Sequence, residues 1–268
     1  MGRMTEPETR AATKTDWLLI GVLVAVILPL RLWLLHNTEV TARDSIGYIR
    51  YALQFETQPW KQVCESNDQH PGYPALIWLM SQPVRAWSGQ TTPENMQVSA
   101  QLVSFSASML LILPMYFLGR QFFDRTISFG GALLYQYLPA SGQHLSDGIS
   151  EPAYLLLLTT AILQAVHAVR ERSVWRSALC GAFAGGSYII RPEGLLIIPA
   201  FAIVMIALQY RSQWRCSWQR FAGCAGAIAV GVMLTGSVYV MATGRISTKP
   251  TANRIVENAV EGIGRAHV

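Results

Sequence analysis

Four short stretches of this chain carry residue types that can move a proton or hold a phosphate. They are Asp44 with Tyr48, Gln69-His70-Pro71-Gly72-Tyr73-Pro74, Ser146-Asp147-Gly148-Ile149-Ser150-Glu151-Pro152, and Arg191-Pro192-Glu193. A carboxylate such as Asp44 or Asp147 can serve as general base for an acceptor hydroxyl or amine. An arginine such as Arg191 can bind a phosphate through two parallel hydrogen bonds. Each stretch also has an ordinary structural reading. Asp44 precedes a helical pattern and suits a helix cap. Asp147 and Glu151 flank a helix start, where acids offset unpaired amides, and Pro152 suits a first helical turn. His70 reads as a polar loop residue and Arg191 as an interfacial anchor. Only the elements that carry them can decide between these readings.

Those elements are membrane spans. Of 268 residues, 51% are hydrophobic and only 14% charged, against about 25% charged in soluble domains. The charges fall in short clusters between long uncharged stretches. The net charge of +5 fits the bias that orients membrane proteins better than it fits nucleic-acid binding. The cysteines, Cys64, Cys180, Cys216 and Cys224, show no CxxC spacing, so neither a zinc site nor a disulfide framework is expected.

The hydropathy pattern predicts an all-α polytopic membrane protein of about seven transmembrane helices: 17–36, 98–118, 126–143, 152–169, 177–190, 194–210 and 221–242. The third and fifth are short for a span of about 20 residues. The first follows Arg3, Arg10 and Lys14 and precedes a cleavage-like Val40-Thr41-Ala42. Its length and the spans behind it favour an uncleaved helix over a signal peptide. Arg31 is expected to snorkel toward the outer interface. With the N-terminus inside, every short inner loop is basic, through Arg120, Arg125, Arg170, Arg172, Arg176, Arg211, Arg215 and Arg220, as the positive-inside rule requires. The organisation expected is a cytoplasmic tail (1–16), a transmembrane module (17–242) with an outer loop (37–97), and an outer tail (243–268).

Within the outer loop, Asp44–Glu56 has apolar residues at helical spacing, as in an amphipathic helix on the membrane surface. Pro71–Trp87 is apolar but punctuated by Pro71, Gly72, Pro74 and Pro83, and is expected as an interfacial or re-entrant helix. Trp33, Trp60, Trp78, Trp87, Trp175, Trp214 and Trp218 sit near predicted boundaries, where an aromatic belt belongs. Gly181 and Gly185 permit close helix approach.

This topology puts Asp44, His70, Asp147 and Arg191 on one face, close to the membrane surface. Together they can build one cavity with its floor in lipid and its mouth outside, suited to a lipid-phosphate substrate. The carboxylates of Asp44 and Asp147 are expected to face it. The order of motifs resembles the GT-C-fold glycosyltransferases that use polyisoprenyl-phosphate sugars, in particular the dolichyl-phosphate-mannose–protein mannosyltransferase-like group (glycosyltransferase family 39) and the bacterial lipid A aminoarabinose transferases. The matching residues are Asp44 and Tyr48 after the first span, His70-Pro71-Gly72-Tyr73-Pro74 for an H-P-P-L-Y-P-like motif, Asp147 after the third span, and Arg191 before the sixth. Ser45 departs from a second acidic residue often found there, and Gly72 from the second proline.

The resemblance covers residues 15–245 and implies a GT-C-like N-terminal module. Family members are usually longer, so a truncated or minimal form is expected. It implies a hexosyl- or pentosyltransferase that moves a sugar, with inversion, from a polyprenyl-phosphate donor to a lipid, glycan or protein acceptor. Asp44 would be the base and Asp147 its catalytic companion. Tyr48, His70, Tyr73, Glu151, Arg191 and Glu193 would contact substrate or shape the site. No cofactor is certain; a divalent metal at Asp44 and Asp147 is the one considered. The setting implied is a bacterial inner membrane, with the N-terminus cytoplasmic and the active face outside. The rivals are a small-solute or lipid transporter and an inactive truncated scaffold. Transporters tend to carry repeats and midplane charges, whereas the polar groups here gather at one face.

Overall fold

The computed structural model describes residues 12–38, 43–89, 92–138, 147–210 and 217–247. The Val40-Thr41-Ala42 stretch, Ser146, Trp214, Cys216, residues 139–143 of the expected third span and most of both tails lie outside them. Among the described residues every regular element is helical. In order they are α1 (Lys14–Asn37), α2 (Arg43–Thr57), α3 (Trp60–Ser66), α4 (Gly72–Ser88), α5 (Pro93–Phe122), α6 (Arg125–Tyr137), α7 (Glu151–Glu171), α8 (Val174–Ile190), a 3-10 turn (Pro192–Leu196), α9 (Ile197–Tyr210) and α10 (Trp218–Thr243).

Five of these units are long and apolar enough to cross a membrane: α1, α5, α7, the 3-10 turn with α9, and α10. The chain is an integral membrane protein. The stretches expected as third and fifth spans form α6, of 13 residues, and α8, of 17. At 1.5 Å per residue these rise about 20 and 25 Å, and side-chain ties mark the course of each. Arg125 at the start of α6 reaches Asp16 at the start of α1, and Gln136 at its end meets Arg31. α6 therefore runs alongside α1 in the same direction. Arg176 near the start of α8 bonds Gln164 and Glu171 late in α7, and Arg191 just past its end pairs with Glu151. α8 therefore returns antiparallel to α7.

Apolar packing divides into two halves. Ile20, Leu23 and Ile27 of α1 pack on Ile112 and Tyr116 of α5 and Ala132 of α6. Ala168 of α7 packs on Phe201 and Met205 of α9 and on Cys224 and Ile228 of α10. α8 and α10 meet through small residues, and Thr235 donates to the Ala182 carbonyl at 3.1 Å. Trp33, Trp87, Trp175 and Trp218 are exposed near helix ends, where belt residues reach the interface.

Two expectations change. Arg31 does not snorkel; it is 1% exposed. Its Nη2 donates to the Gln136 carbonyl at 2.7 Å and to Gln136 Oε1 at 2.8 Å. The last carbonyls of a helix lack intrahelical partners and carry the negative dipole end, so the C-terminus of α6 is a natural seat for a guanidinium. Gln136, in turn, donates to the Ser108 carbonyl of α5 at 3.1 Å. The second change is α2, whose apolar face turns to protein and not to lipid. Tyr48, Ile49, Ala52 and Leu53 pack into one cluster with Tyr73 and Ile77 of α4 and Met96 and Ala100 of α5. In α4, Pro74 falls in the first turn, where a missing N–H costs nothing.

At the opposite end of α1 the buried Asp16 carboxylate joins three helices. It accepts from Thr13 N at 2.9 Å, Tyr116 Oη at 2.8 Å, Arg120 Nε at 3.1 Å and Arg125 Nε at 3.2 Å. Removing one member of a buried ion pair leaves its partner uncompensated, typically at roughly 3–5 kcal/mol. Asp16→Ala is therefore expected to destabilise the protein by about 3 kcal/mol, read as a lowered unfolding midpoint in detergent. A midpoint equal to the parent's would show that the clamp carries no stability.

Candidate functional site

The site is built on the short segment 147–150, which leads into α7. Gly148 has φ +66°, a left-handed conformation that suits glycine. A Cβ there would also lie 3.2 Å from the Cβ of Ala100 in α5. The bend presses the segment onto α5, and hydroxyls from α2 and α5 fix it. Ser45 Oγ of α2 donates to the Asp147 carbonyl at 2.7 Å. Ser104 Oγ of α5 donates to the Ile149 carbonyl at 2.9 Å. Tyr73 Oη of α4 donates to the Ala100 carbonyl at 3.1 Å and lies 2.8 Å from Ser104 Oγ. Tyr48 Oη of α2 is 3.1 Å from Ser150 Oγ, and its ring meets Tyr73 edge-on at 5.0 Å.

Charge gathers over this platform. Glu151 opens α7 and pairs with Arg191, which caps α8. Arg191 Nε is also 3.7 Å from Glu193 Oε2, and its guanidinium lies 5.7 Å from the Tyr154 ring centre. Burial alone would lower the Arg191 pKa, but Glu151 and Glu193 outweigh it and raise the value. Burial pushes the Tyr48 phenol up, opposed by Ser150 and Arg191 and assisted by Glu151 and Asp44. The phenol thus feels Asp44, Glu151 and Arg191 together. Asp44 itself is exposed, in the first turn of α2, and Asp147 is half-buried.

The structure thus brings Asp44, Tyr48, Asp147, Glu151, Arg191 and Glu193 to one end of the bundle. It places Tyr73 and His70 beneath. Tyr73 is wholly buried with its hydroxyl bonded to Ala100 and Ser104, so it supports the platform and does not line it. His70 is 3% exposed, stacked on Tyr239 at 4.4 Å and edge-on to Tyr188 at 5.2 Å. That aromatic box joins the stretch between α3 and α4 to α8 and α10. Gly72 is explained by contact: a Cβ there would lie 2.7 Å from the Ile189 carbonyl, so the start of α4 touches the end of α8.

Sequence reasoning missed Ser104 and Tyr154, gave Ser150 no role of its own, and read Ser45 only as a departure. Ser45 is fully buried, and its hydroxyl supplies a donor that an ionised carboxylate lacks. Tyr154 lies three residues after Glu151, on the same helical face, which was a usable signal. Among the described residues no group of three or more His, Cys, Asp or Glu side chains is placed to hold a metal ion.

Beside the charges a groove of about 560 Å³ runs between α4, α5 and α7. Leu76, Met80, Val103, Leu110 and Leu157 line it, and it reaches Ala153 and Ile190. Those two residues are close neighbours in sequence of Glu151 and Arg191, so the ion pair sits at the rim of an apolar channel.

Residues 71–244 match the family described as dolichyl-phosphate-mannose-protein mannosyltransferase. No curated protein matches the chain. Gly148→Ala is expected to cost about 1–2 kcal/mol through the left-handed backbone alone, with the crowding at Ala100 added. Unfolding in detergent checks this. An unchanged midpoint would mean that segment 147–150 is not held against α5.

Proposed function

The chain belongs to the dolichyl-phosphate-mannose-protein mannosyltransferase family, a group of GT-C-type membrane glycosyltransferases, and from that premise we propose that it transfers a sugar from a polyprenyl phosphate to an acceptor outside the cytoplasm. The observation that carries this reading is the junction of charge and groove. An apolar channel suits a polyprenyl tail, and an arginine at its rim suits the phosphate that joins tail to sugar.

In this reading the donor enters with its tail along Leu76, Val103 and Leu157 and its phosphate at Arg191. Arg191 already pairs with Glu151 and approaches Glu193. The donor's phosphodiester monoanion would meet two carboxylates at close range, where like charges repel. Glu151 must therefore yield Arg191 to the phosphate, and Glu193 keeps the guanidinium aimed. Tyr154 supports it from below through its ring.

Asp44, exposed above the platform, takes the proton of the acceptor hydroxyl or amine as the acceptor attacks the anomeric carbon. The bond from that carbon to the phosphate oxygen breaks on the opposite face, so the configuration inverts. The electron pair leaves with the lipid phosphate, whose growing charge Arg191 neutralises. Asp147, held through its own backbone by Ser45, orients the acceptor or sugar hydroxyls. Holding donor and acceptor in line supplies much of the rate gain.

Transfer from a labelled polyprenyl-phosphate sugar in proteoliposomes tests the roles. A positioned general base contributes about 100- to 10,000-fold, so Asp44→Asn is expected to lose that much with normal insertion. Arg191→Ala is expected to lose roughly 100- to 1,000-fold, as when a charge-stabilising donor is removed, and Arg191→Lys less. Full transfer by Asp44→Asn removes Asp44 as the base. No transfer by the parent protein from any donor tried overturns the enzyme reading.

A further inference from the structure

A second apolar groove, of about 400 Å³, lies toward the other end of the bundle. One wall is Ile162, Ala165 and Val169 of α7; the other is Ile197, Ala200 and Val204 of α9. Ala153, Leu156 and Leu157 line the first groove. At 3.6 residues per turn, Ile162 stands two and a half turns from Ala153. The two grooves therefore open on opposite sides of α7, and one tail does not run through both.

The mouth of this second groove is cationic. Arg170 lines it together with Phe122. The guanidinium donates through Nη1 to Gln121 Oε1 at 2.7 Å and through Nη2 to the Gln121 carbonyl at 2.8 Å. It also lies 5.6 Å from the Phe122 ring centre. Arg172 caps the end of α7, while Arg176 of α8 pairs with Glu171. Loop charges that only orient a protein need no fixed geometry. Arg170 is instead held at the point where an apolar channel reaches the membrane surface, and its charge selects an anion there.

We propose that this groove binds an anionic phospholipid of the leaflet facing this end, with one acyl chain between α7 and α9 and its phosphate at Arg170. The pairing of channel and cation matches the basic pockets between membrane helices that hold anionic headgroups. The site is separate from the transfer site and does not depend on the reading of Asp44 or Arg191. A lipid bound here would brace α9 against α7 and α5.

Native mass spectrometry of the detergent-solubilised full chain, with dioleoylphosphatidylglycerol or dioleoylphosphatidylcholine added, tests it. A cation near the membrane surface contributes about 1 kcal/mol toward anionic lipid. The parent should therefore retain one phosphatidylglycerol over phosphatidylcholine by about fivefold. Ala200→Trp fills the groove, and Val204→Trp fills the same wall as a second variant; both should abolish retention while melting in detergent like the parent. Arg170→Gln should lose the preference and Arg170→Lys should keep it. Equal retention of the two lipids by the parent would overturn the proposal. So would an unchanged preference in both tryptophan variants, or displacement of the lipid by inorganic phosphate.

Discussion

The anchoring of segment 147–150 is the constraint on which the candidate site depends. In a membrane protein a short non-helical stretch must satisfy its own backbone or borrow partners. Here Ser45 and Ser104 supply donors for the carbonyls of Asp147 and Ile149. The donors come from α2 and α5, with Tyr73 of α4 bonded beside them. The outer-loop helices are therefore joined to the start of α7 by hydrogen bonds as well as by apolar packing. Asp44, Glu151 and Arg191 inherit their relative positions from that junction. A slip of α2 would move the proposed base and break the Ser45 bond at once.

The same economy governs the rest of the bundle. Buried or half-buried polar side chains meet acceptors at helix ends, where carbonyls are already unpaired: Arg31 at the end of α6, Arg170 at Gln121 near the end of α5. Asp16 works in the opposite sense, as a buried anion that draws Arg120 and Arg125 onto the start of α1. Cations fixed on α1 and α7 thus set the ends of α6 and α5, and apolar packing fills the middle. This division leaves long stretches of helix free of charge, which is what crossing lipid requires.

Much of this was legible in the sequence because hydropathy and punctuation report on solvent. The apolar runs gave the long helices, and the Asp44–Glu56 period gave α2 to within a residue at each end. Periodicity does not say what a face packs against, so α2 read as a surface helix although its apolar side meets α4 and α5. Likewise Arg31 looked like an interfacial residue because its partner, Gln136, is more than 100 positions away. The site residues with charge were visible as outliers in an apolar chain. The serines were not, since a hydroxyl that bonds a distant carbonyl leaves no local pattern. Tyr73 and His70 stood in a recognisable motif, but nothing local in the sequence showed that Tyr73 bonds Ala100 and Ser104 or that His70 stacks on Tyr239.

That support explains the arrangement at Arg191. The residue ends α8 in an extended conformation, so its side chain leaves the helix toward Glu151. Gly72 lets the start of α4 touch the Ile189 carbonyl two residues earlier. His70 meets Tyr188 edge-on one residue before that. Tyr188 and Ile189 of α8 are thus held by the residues that lead into α4, three and two positions before the arginine. A guanidinium so placed has little freedom to follow a ligand, so the mobile partners must be the carboxylates. Glu151 sits on the first turn of α7, and its side chain is about one-third exposed. In the proposed reading, the donor phosphate exchanges with Glu151 on a fixed cation at the rim of an apolar channel.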